Sequence, residues 1–147
     1  MRTVILLAAV LACTGCQQKQ KSELTIADAK VRAALALSAF ECSALATAPA
    51  DSSRLFNAGL LAGRDFLTFA DANGNGYKSI VPQIDPLWNA VADRPSADFK
   101  LGEMYAAIRH RVDAERVRFS DSNWDAQRGE WYAQKNCGFV GNEPVKK

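Results

Sequence analysis

The sequence predicts an all-α fold, a single compact domain of about five helices fastened by one disulfide. Three observations carry that expectation. Apolar and small residues recur at helical spacing through most of the chain, capping residues stand at the starts of these runs, and alternating strand-like stretches are scarce. The composition suits one globular domain, with 48% apolar and 23% charged residues and a net charge of +2.

In the first run Val31, Leu35, Ser38, Cys42 and Leu45 fall at helical spacing between Thr25 and Ala46, and Asp28 follows Thr25 as a capping-box pattern. Ala33, Ala34, Ala36, Ala39 and Ala44 add propensity and leave a thin surface against which another helix can lie close. Pro49 reads as the end of this region. Asp51, Ser52 and Ser53 then offer caps for a second helix reaching Ala70. Its Gly59 and Gly63 stand four apart, a spacing that lets two backbones approach, and Arg54, Arg64 and Asp65 make this a packing face within a water-soluble domain.

An Asn- and Gly-rich loop is expected from Asp71 to Ile84. Asp85 and Pro86 look like the cap and first residue of a short helix with Leu87, Trp88 and Val91. A long helix follows from Ala97 to Phe119, burying Leu101, Tyr105, Ile108 and Val112. Its exposed side pairs Arg109 with Asp113 and Arg111 with Glu115. Ser122 and Asp125 form a second capping pattern, and a last helix carries Trp124, Trp131 and Tyr132 to Cys137, where Gly138 stops it.

The first sixteen residues, Met1 to Cys16, have a different character. A basic start, a short apolar stretch and the Cys-Thr-Gly-Cys ending form an export signal. An apolar run of about 10 residues rises only about 15 Å as a helix, half of a bilayer's hydrocarbon core. The small residue before cysteine and the polar stretch after it resemble the lipobox of bacterial lipoprotein precursors. That resemblance implies lipidation of Cys16, with Cys13 as the alternative, and anchoring in the bacterial cell envelope, at the outer membrane facing the periplasm. The division expected is a signal peptide over 1–15, lipidated cysteine and flexible tether over 16–23, helical domain over 24–140 and C-terminal tail over 141–147. Lys19 and Lys21 lie in the tether.

With Cys16 lipidated and Cys13 removed, Cys42 and Cys137 remain in an oxidising compartment and are expected to pair. Closing so long a loop stabilises a chain by about 4 to 5 kcal/mol in the chain-entropy model, before native strain and residual structure reduce it.

Few residues offer chemistry. Asp71, Asn73 and Asn75 with their glycines resemble the first half of an EF-hand calcium loop, but position twelve is Pro82 where a bidentate glutamate belongs, so only weak calcium binding is expected. His110, the single histidine, stands between Arg109 and Arg111; with an acid or serine it is the one basis for a hydrolase reading. Acidic neighbours offset the arginines, and an exported, nearly neutral chain gives no case for a nucleic-acid partner. No cofactor motif occurs. The expectation is a lipid-anchored module that binds another protein as an inhibitor, immunity-type protector or assembly accessory, with Trp131, Tyr132, Arg109 and Arg111 as interface candidates and an exposed aromatic sought over 129–132. Alternatives are a small envelope hydrolase and a calcium-responsive module.

Overall fold

The computed structural model describes residues 24–74, 85–119 and 121–142, and all its regular elements are helical. They are α1 (Ile26–Leu45), α2 (Pro49–Ala72), α3 (Pro86–Ala90), α4 (Ala97–Glu115), a 3₁₀ turn (Arg116–Arg118) and α5 (Asp121–Gln134). The chain is all-α and carries the Cys42–Cys137 disulfide, with Cα atoms 5.4 Å apart.

α1 starts at the expected capping box. Asp28 N donates to Thr25 Oγ1 at 3.2 Å and Thr25 N donates back to the Asp28 carboxylate at 3.1 Å, which satisfies two otherwise orphaned amides. Cys42 and Leu45 of the expected stripe are buried, as are Ala33, Ala36 and Ala39 of the thin alanine surface, but the rest of the stripe differs. Ala29, Ala33, Ala36, Phe40 and Ser43 face inward, whereas Val31 is 58% exposed and Ser38 is exposed too. Close contact with α2 takes the alanine side of α1 and leaves Val31 and Ser38 outside it.

α2 runs back along α1: Ser43 meets Ser52, Phe40 meets Gly59, and Arg32 meets Asp65 at 3.8 Å. Pro49 opens α2 instead of closing the preceding region, because proline at the first helical position loses no hydrogen bond the helix would make. None of the expected serine caps is used. Ala48 is the cap residue; Ser52 Oγ donates to Ser43 O at 3.0 Å and Ser43 Oγ to Ser52 O at 2.8 Å, a reciprocal pair that clasps the two helices. These bonds provide for Ser43, which is 2% exposed.

The two glycines of α2 serve different neighbours. A methyl group on Gly59 would stand 2.5 Å from the Phe40 ring and 3.2 Å from Ala36 O, so α1 needs that site bare. At Gly63 the same methyl would overlap the Leu101 side chain of α4. Beyond Gly63, Phe66 sets its ring edge-on to Trp88 of α3, centroids 4.5 Å apart, and both rings are fully buried. α3 begins as expected, with the Asp85 carboxylate accepting from Leu87 N at 2.9 Å.

α4 runs in the direction of α1. Leu101 packs at Gly63, Tyr105 stacks edge-on to Phe56 at 4.7 Å, and Val112 joins Leu45. Leu101, Met104, Ile108 and Val112 form the buried stripe; Tyr105 is only half-buried, since its ring lies at the rim beside Phe56. The α-helix ends at Glu115 and tightens into the 3₁₀ turn before Phe119.

α5 packs against the last turns of α1 and the end of α4, with Trp124 beside Leu45 and Val112, Arg128 at Leu45 O and Ala46 O, and Lys135 just past it at Glu41. It starts at Asp121, which places Ser122 inside the helix. It stops at Gln134 rather than continuing to Cys137, because Asn136 takes the left-handed conformation (φ 54°) that Gly138 was expected to supply. Cys137 N then reaches back to Tyr132 O at 3.1 Å and Asn136 N to Ala133 O at 2.9 Å, closing the end in a Schellman arrangement. That turn aims Cys137 at Cys42. The Asp71–Ile84 loop falls largely on residues 75–84, outside the described residues.

Candidate functional site

A groove of about 530 Å³ lies between α1, α3 and α4. Its α1 wall is the helix face turned away from α2, with Lys30, Val31, Ala34, Leu37, Ser38 and Glu41 following one another over three turns. Leu87 and Ile108 complete an apolar floor from the other two helices. Charges stand at both ends, Lys30 and Asp85 at one and Glu41 and Arg111 at the other.

Glu41 holds two cations. Lys135, just past α5, lies 3.1 Å from its carboxylate, and Arg111 lies 3.8 Å away with its side chain 58% exposed. The expected Arg111–Glu115 pair is therefore replaced by this interhelical contact, and Glu115 binds Arg118 at 2.9 Å instead. The tightening of the chain into a 3₁₀ turn brings Arg118 within reach of Glu115. Arg109 does pair with Asp113, at 3.7 Å on the exposed side of α4.

Of the four interface candidates only Arg111 lines the groove. Trp131 stands edge-on to Trp124 and to Phe119, with centroids 5.8 and 6.0 Å apart, and is half-buried. Tyr132 is half-buried against the disulfide, so the exposed aromatic sought over 129–132 is not present there: both large rings are used to seat α5. His110 is exposed on α4 and does not line the groove.

Asp71 lies in the last turn of α2, and Asn73 caps that helix, its side-chain amide donating to Phe69 O at 2.8 Å. Asn75 lies outside the described residues, as do Cys13, Cys16, Lys19 and Lys21. Among the described residues no three His, Cys, Asp or Glu side chains gather where they could hold a metal ion, and no helix is long and apolar enough to cross a membrane.

Val31, Ala34, Leu87 and Ile108 are legible from sequence as packing positions of their helices but not as the lining of a groove, and Leu37 carries no sequence signal of its own. One signal was available: α1 is apolar or small on two faces, and a helix of that kind has neighbours on both sides. No protein-family model, curated protein or solved structure matches the chain.

Proposed function

We propose that this protein is a lipid-anchored component of the bacterial cell envelope, held through Cys16 at the outer membrane and facing the periplasm, that acts by binding another protein. The groove carries the reading. An apolar floor three helical turns long, bordered by charges, matches the way a partner's amphipathic helix seats its apolar face between two helices. Val31 and Ala34 are exposed on that floor, so burial by a partner would remove apolar surface from water that folding leaves in contact with it. The role is that of an inhibitor, an immunity-type protector or an assembly accessory.

The test is affinity capture from an extract of the cell envelope, using the oxidised mature chain beside a Val31→Asp, Ala34→Arg double variant. Both substitutions fall on exposed positions, where stability changes stay within about 0.5 kcal/mol. One stoichiometric partner held by the parent and lost by the variant supports the reading. Equal capture by both removes the groove from it, and no capture by a folded parent removes the binding role. Mass spectrometry of the N-terminal peptide tests the anchor separately: an acylated, diacylglyceryl-bearing Cys16 is expected, and an unmodified one sinks that half.

A further inference from the structure

We draw no further inference here: the strongest candidate outside the groove, the exposed face of α4 that runs from Phe99 through Gly102 to Ala106, carries nothing because nothing in the structure shows what covers it.

Discussion

In the body formed by α1, α2 and α4 the helices meet through alanines and glycines, whereas α5 and the turns after it are fastened by a disulfide, two arginines and an aromatic cluster. Ala29, Ala33, Ala36 and Ala62 are buried in the body together with Phe40, Phe66 and Leu101. Around α5 the contacts are of other kinds. Arg128 donates to the last carbonyls of α1, Ala46 O at 2.6 Å and Leu45 O at 3.4 Å, and Arg54 donates to Val140 O at 2.9 Å. Trp124 fills the gap between Leu45 and Val112. Close packing is available only to helices that lie along one another for several turns. α5 meets only the last turns of α1 and the end of α4, so it relies on anchors that act at single points.

The largest effect should come from removing the covalent anchor. A Cys42→Ala, Cys137→Ala double variant is expected to lose up to about 5 kcal/mol in urea unfolding, the chain-entropy figure being an upper limit. Amide exchange should show a loss in α5 and the turns after it that exceeds the change in global stability shared by every amide. If the amides of α1 and α2 lose protection in step with those of α5, the division into two regions fails.

Next in size is Gly59→Ala, which should destabilise by about 1 to 3 kcal/mol despite the better helix propensity of alanine, because the buried Phe40 ring cannot move aside. Gly102→Ala on α4 is the matched control. Nothing stands within 4 Å of the added methyl, so a gain of about 0.5 to 1 kcal/mol is expected there. Thermal unfolding of the pair checks the sign reversal, and a gain at both positions would refute close packing of α1 on α2.

Arg128→Ala should cost about 1.5 kcal/mol, since hydrogen bonds from a charged donor exceed neutral ones and its side chain is only 21% exposed. The smallest change is expected for Arg111→Ala, within about 0.5 kcal/mol in urea titration, because its partner Glu41 keeps Lys135 and the pair is open to solvent. A loss above 1.5 kcal/mol at Arg111, measured the same way, would mean that this ion pair anchors the fold and does not simply border the groove.

The helix starts that could be read in advance are those written in neighbouring residues. Thr25 with Asp28, and Asp85 with Pro86, satisfy amides three or fewer residues away, so their chemistry is complete within a local segment. Ser52 illustrates the opposite case. It has the character of a cap, yet its hydroxyl bonds a carbonyl on another helix, a partner nine positions earlier that only the α1–α2 hairpin brings close. The groove was hidden for a related reason: apolar residues on two faces of α1 show that both are covered or shared, but not which face α2 takes.

Composition and periodicity by themselves determined that the chain is all-α, because helix propensity and capping are properties of short segments; the pairing of Cys42 with Cys137 is expected only once the lipobox resemblance sets Cys13 and Cys16 aside. Only the tertiary structure decided that Val31 and Ser38 of α1 stay exposed, that Gly59 serves α1 while Gly63 serves α4, and that Trp131 and Tyr132 hold α5 in place. Those outcomes depend on how closely separate helices approach, and that distance is set jointly by residues far apart in the chain.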